Sequence, residues 1–142
     1  MTLVGNHSNA SPSALWVSST TLVSTIISDN TTPFSDSHQL SGSIGGDHDL
    51  VFGPAGEALP PDTLMVDPLL LPLTDNGGKT LTMALRADSP AIDAGAGTDD
   101  LLTDQRGSGF ARLVGVAVDI GAFERQGPND GDYIQVGGFD PP

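Results

Sequence analysis

Apolar residues along this chain come in short runs rather than in helical stripes, and the runs are bounded by turn residues. The clearest is ALWVSSTTLVSTIISDN, residues 14–30, rich in Val, Ile, Thr and Ser and closed by the turn pair Asp29-Asn30. It predicts a strand in which Leu22, Ser24 and Ile26 share one face and Val23, Thr25 and Ile27 the other. Neither face is plainly polar, as suits a strand covered on both sides or stacked within a solenoid. Residues 40–52, LSGSIGGDHDLVF, predict two short strands, around Ile44 and at Leu50-Val51-Phe52, split by Gly45-Gly46. Leu64 to Val66 predicts another, ended by Asp67-Pro68. The cluster Asp75-Asn76-Gly77-Gly78 reads as a strong turn ahead of a strand over 79–85. Residues 1–13 are polar and aperiodic, and read as a frayed or disordered end or as part of an incomplete unit.

Strand centres near Val23, Ile44 and Met65 recur about every 21 residues, inside the period range of solenoids. Short strands joined by loops that are not hairpins fit a parallel β-helix, in which each turn of chain stacks on the next.

Composition narrows the function classes. Eighteen Gly and eleven Pro among 142 residues exclude a helix bundle. Eighteen acids against five bases give a formal charge of −13, which disfavours nucleic acid and anionic membrane surfaces. Sixteen of the eighteen acids are Asp, the other two being Glu57 and Glu124; Asp favours turns where Glu favours helices. The absence of cysteine removes disulfides, Cys-based zinc sites and thiol nucleophiles. No run approaches the ~20 apolar residues of a membrane span. No basic, apolar leader is visible at the start.

The second half carries more specific blocks. From Asp67 it reads DPLLLPLTDNGGKTLTMALRADSPAIDAG, then TDQRGSGFARLVGVAVDIGAFE. These blocks resemble, in order, the C-terminal region of bacterial surface proteins with right-handed parallel β-helix repeats, the choice-of-anchor Q family. TLVSTIISDN and SGSIGGDHDLVF resemble the last coils that precede that region, so the likeness covers about residues 15–124. It implies an all-β chain: terminal coils of a right-handed parallel β-helix over 14–66, a β-rich C-terminal subdomain closing their end over 67–124, and a flexible tail over 125–142. It further implies a secreted or cell-surface structural module, partnered by the rest of a longer β-helix chain or the cell envelope, with adhesion or glycan binding elsewhere. The missing leader and anchor then read as truncation.

Five residues in these blocks form the sharpest constellation: Asp93, Asp104, Arg106, Asp119 and Glu124. An arginine fork held by carboxylates and backbone carbonyls would staple loops together. The competing reading is a catalytic Asp cluster with an Arg, in a remnant of a polysaccharide lyase or glycosidase. Asp47, His48 and Asp49 could bind a metal or supply acid and base, but next to Gly45-Gly46 they read as a turn. Asp99, Asp100 and Asp104 are candidate Ca²⁺ ligands for a calcium-stabilised adhesin segment, although the calcium-loop motifs are missing. No nucleophile elbow or phosphate loop is present, and no other cofactor is expected.

Overall fold

The β-branched and Ser/Thr-rich runs of the first half form strands, and all the strand pairs they make are parallel. The structure, a computed structural model, describes residues 1–34, 38–97, 100–128 and 130. Its strands are β1 (Thr2–Val4), β2 (Leu15–Val23), β3 (Ile26–Ser28), β4 (Leu40–Asp47) and β5 (Leu50–Phe52). One sheet has the order β1-β3-β5 and the other pairs β2 with β4, so the chain alternates between two parallel sheets. No helix occurs among the described residues, and the fold is all-β.

The register is set by corners, not by hydrophobic centres. Thr2 stands beside Ile26 and Ile26 beside Leu50, steps of 24 residues (26 − 2 and 50 − 26). Thr20 stands beside Ile44 with the same step, 44 − 20. The period of about 21 drawn from Val23, Ile44 and Met65 is therefore corrected: Val23 pairs with Asp47, and Met65 lies outside the strands. Left-handed backbone recurs with the true step. Gly5, Asp29 and Gly53 follow β1, β3 and β5 with φ of 67°, 53° and 103°. Ser24 and His48, at 48° and 51°, precede β3 and β5. Side chains other than Gly, Asn and Asp seldom adopt this region, so these positions mark the bends.

The bend at Ser24 also breaks the alternation expected across residues 22–27. Leu22 packs with Ile27, Leu40, Val51 and Ala55 between the two sheets. Ile26 packs with Leu50, Ala84, Leu85, Ala91, Ile120 and Phe123 on the other face of β1-β3-β5. That sheet is thus a middle layer, with β2-β4 against one face and the C-terminal segment against the other. The expected end-closing subdomain is corrected on two counts. It covers the flank of the sheet, where Ile26 and Leu50 present an apolar floor, and it is not β-rich. Its described backbone makes only the isolated bridges Leu70–Leu85, Thr74–Thr82 and Thr103–Ala111, and β5 gains one bridge from Leu64.

A parallel β-helix reading of the sequence expects an inner stack of Leu22, Ile26, Ile44, Leu50, Val66, Leu81, Ile92, Ile120 and Phe123; of these, Leu22, Ile26, Leu50, Ile120 and Phe123 are buried, while Ile44 and Ile92 are partly buried against the clusters. Val66 and Leu81 are 44% and 53% exposed, which corrects both. Leu81 precedes Thr82, whose buried side chain and bridge to Thr74 take the inward position. The frayed N-terminus is corrected too, because Thr2–Val4 is a sheet strand. Thr2 also accepts a 3.0 Å hydrogen bond from the Ala122 backbone on its hydroxyl, 120 residues away. Gly45-Gly46, expected to split two strands, runs inside β4. A Cβ on Gly46 would stand 1.6 Å from the Leu22 carbonyl oxygen, so the strands approach more closely there than a side chain permits.

Candidate functional site

The TDQRG turn builds the centre of a buried ionic network. Asp104 Oδ1 accepts the Arg106 backbone N–H at 2.8 Å, folding the turn upon itself. Its Oδ2 accepts Arg106 Nε and Nη2 at 2.9 and 2.8 Å, and the Glu124 backbone N–H at 2.9 Å. Arg106 Nη2 also donates to the Glu124 carbonyl, and Nη1 reaches Asp130 at 3.3 Å. The guanidinium lies between two rings, 4.0 Å from the Phe110 centroid and 3.8 Å from that of Phe123. Both side chains of the Arg106–Asp104 pair are fully buried. Two charges out of water require such a shell of donors, acceptors and π-faces.

The Asp75–Gly78 turn seats this arginine. Asp75 Oδ1 accepts the Gly77 N–H at 2.9 Å, and Asn76 Nδ2 donates to the Thr82 carbonyl and hydroxyl, both at 3.0 Å. Gly77 has φ 96° and faces the Phe110 ring; a Cβ on Gly78 would lie 2.7 Å from Arg106 Cα. The turn residues expected from sequence therefore carry packing duty as well.

A second arginine, not anticipated, organises the rest. Glu124 Oε2 accepts Arg112 Nη1 at 3.3 Å and the Asp119 N–H at 2.9 Å, and its Oε1 accepts the Val114 N–H at 3.0 Å. Arg112 Nη2 donates to the Asp119 carbonyl at 3.0 Å. Asp119 accepts the backbone N–H groups of Asp93 and Arg125 at 2.9 and 2.7 Å. Asp93 in turn accepts those of Val116 and Ala117 at 2.9 and 3.2 Å, close beside Gly115. Arg125 reaches across to the Leu85 carbonyl at 2.9 Å. So Asp104 and Arg106 meet directly, whereas the Glu124 carboxylate goes to Arg112 and Asp93 and Asp119 hold backbone. Sequence reasoning centred on Arg106 because it stands in the short TDQRG turn beside Asp104; Arg112 lies between that turn and DIGAFE, and Arg125 follows it, neither beside a carboxylate that singles it out.

Among the described residues burial raises the carboxyls of Asp49, Asp119 and Glu124. Glu124 is pushed up to about 7 and Asp49 to about 6, in both by desolvation first, against the donors that favour the charged form. Asp119 is raised for the same leading reason. A buried acid with a raised pKa binds its proton more tightly folded than unfolded. Its stabilisation is complete below the ordinary carboxyl range and is lost as pH rises through the folded value. Burial lowers the Met1 ammonium below its ordinary 8, which acts in the opposite sense toward alkaline pH. Thermal melts are expected to give a higher Tm at pH 5 than at pH 7; a flat or inverted profile contradicts the assignment. Asp49 has one oxygen on the Thr25 N–H at 2.8 Å and the other with no partner among the described residues. Asp49→Asn is therefore expected to flatten part of the profile and to stabilise the protein at pH 7 by about 1–2 kcal/mol.

The other expected groups are dispersed. His48 lies at the exposed corner before β5, its Nδ1 3.7 Å from Asp47 and 3.5 Å from Asp62, while Asp49 turns inward. Asp104 is withdrawn from the calcium candidates, since Arg106 and Glu124 occupy its oxygens. Asp100 is exposed, and Asp99 lies outside the described residues, as does most of the expected tail. Among the described residues no group of three or more His, Cys, Asp or Glu could hold a metal ion. No helix among them is long and apolar enough to cross a membrane. A cleft of about 320 Å³ beside the network is lined by Met1, Ser24, Leu101, Gln105, Arg112 and the ion-paired Asp104. Comparison of the chain with protein-family models, with curated proteins and with solved structures finds no match in any of the three.

Proposed function

We propose that the chain is a non-enzymatic structural module of a secreted or cell-surface protein. In this reading it supplies terminal coils of a right-handed parallel β-helix and a C-terminal segment of the choice-of-anchor Q kind. Adhesion or glycan binding falls to neighbouring parts of the longer protein or to the cell envelope that carries it. The observation that carries the proposal is the 24-residue step. Strand partners recur with it throughout β1-β3-β5 and from Ser19 onward in β2-β4, and left-handed bends recur with it too, as stacked coils require. The ionic network supports the structural side, because its carboxylates are turned onto backbone N–H groups and arginines within the fold.

A coil stack tolerates an added coil. Duplicating residues 25–48 in tandem is expected to give a folded, cooperatively melting protein, longer by about one strand spacing of 4.8 Å in small-angle scattering. Loss of cooperative melting would count against stacked coils. Depolymerisation assays on pectate and alginate, with and without Ca²⁺, are expected to show no turnover. Activity abolished by Asp47→Ala would establish the enzyme reading instead. The melting temperature is expected to be unchanged by EDTA or added Ca²⁺, because Asp104 is already neutralised by Arg106.

A further inference from the structure

The C-terminal segment covers the flank of β1-β3-β5 and also grips one of its bends. The Ser24 carbonyl accepts the Gly121 N–H at 2.9 Å. Ser24 Oγ accepts the Ala96 N–H at 2.8 Å and donates to the Ala96 carbonyl at 3.2 Å. Ser24 is buried and uncharged, and its φ is 48°. The bend one step later, at His48, lies outside this grip, at the exposed corner beside Asp47 and Asp62.

The grip continues past Ser24 in the other direction. The cleft of about 320 Å³ has Met1, Val23 and Ser24 on one wall and Leu101, Thr103 and Arg112 on the other, with Gly121 and Ala122 between them. No residue of β3 or β5 lines it, so it lies on the β1 side of the sheet. The 24-residue step accounts for its place. Val23 pairs with Asp47, and the Ser24 N–H donates to the Asp47 carbonyl at 3.3 Å. On their other side, the same step leads in a longer chain to residues ahead of Met1. Ser24 and His48 each stand two positions before the first residue of their strands, Ile26 and Leu50. Two positions before Thr2 is the residue joined to Met1.

We infer that this cleft is the seat of the preceding coil's bend, held by Leu101, Thr103 and Arg112 as Ala96 and Gly121 hold Ser24. The seat rests on the stacked-coil reading proposed above, and it names the partner of that face. The partner is one more coil of the same step, its bend built on a small uncharged residue. The bend already gripped is a serine. Asp104 and Arg112 line the cleft but are paired within the fold, with Arg106 and Glu124. A charged side chain entering it would lose water and meet no free counter-charge. Val23 and Leu101 add apolar surface for the bend to cover.

A second copy of residues 1–24 placed ahead of Met1 supplies such a coil, because it ends on Val23-Ser24. The chain has no cysteine, so Leu101→Cys puts a unique thiol on the cleft wall. Leu113→Cys is the control, on an exposed patch that does not line this cleft. Leu101 and Leu113 are 61% and 62% exposed, so maleimide is expected to label both variants of the 142-residue chain readily. In the extended chain, labelling of the Leu101→Cys variant is expected to slow by about tenfold or more, while the control is unchanged. The extension is also expected to raise Tm, and Ser24→Asp in the added copy alone to restore labelling at position 101. A raised Tm with undiminished labelling at position 101 overturns the seat and leaves stacked coils standing. Protection at both positions overturns it too, and slow labelling that persists with Ser24→Asp overturns the requirement for an uncharged bend. No gain in Tm, or a separate transition for the added residues, overturns the stacked-coil reading and the seat with it.

Discussion

Arg106→Leu is expected to cost about 3–5 kcal/mol in urea unfolding, enough to leave many domains of this size barely folded. The substitution strands Asp104 in a site with no exposed side-chain surface and removes donors from the Glu124 carbonyl and Asp130. It also empties the space between Phe110 and Phe123. Lysine is expected to recover little. A point charge cannot lie flat between two rings while sending Nε and Nη2 to one carboxylate oxygen. The double change Asp104→Leu with Arg106→Leu is expected to cost less than the sum of the singles, because neither charge is then left alone. A loss under about 1 kcal/mol for Arg106→Leu would mean that the network is incidental to stability.

Gly46→Ala is expected to be at least as damaging, by more than about 4 kcal/mol or outright failure to fold. The new methyl would sit 1.6 Å from the Leu22 carbonyl oxygen, and the backbone there has φ 125°. Both strands are fixed by their ladder, so neither can withdraw without breaking the register from Thr20–Ile44 to Val23–Asp47. Its neighbour provides the control. A Cβ on Gly45 meets nothing nearer than the Thr20 oxygen at 3.8 Å, so Gly45→Ala is expected to be close to neutral. Equal effects in the two variants would show that β2 and β4 are less closely held than their geometry indicates.

That pair of glycines illustrates what sequence could and could not convey. As a dipeptide, Gly45-Gly46 reads as a break, since glycine weakens strands. The need for glycine arises from a carbonyl 24 residues earlier, and no local pattern reports it. All-β character was legible from the Val, Ile, Thr and Ser runs and the scarcity of helix formers. Parallel stacking was legible in kind, but its step was not: the turns at Asp29 and around His48 were readable, whereas the bend at Ser24 falls inside a run that reads as one unbroken strand. In the site, Asp104 and Arg106 were legible because one short turn holds both. The roles of Arg112 and Asp130 were not. Each reaches its partner through the path of the chain, Arg112 to Glu124 and Asp130 to Arg106, and side-chain reach is invisible in a string of letters.

The bond between Ala122 and Thr2 bears on how the molecule is made. The apolar floor formed by Ile26 and Leu50 leaves the ribosome well before Ile120 and Phe123, which cover it from about 70 residues further along the sequence. Closing so long a loop costs entropy before any contact repays it, and chains dominated by such pairings fold slowly. A nascent chain halted near residue 70 would therefore present a bare hydrophobic sheet with no complement in reach. Emergence of residues 84–123, rather than stacking of the strands that precede them, is then the step that commits this sheet to its native state.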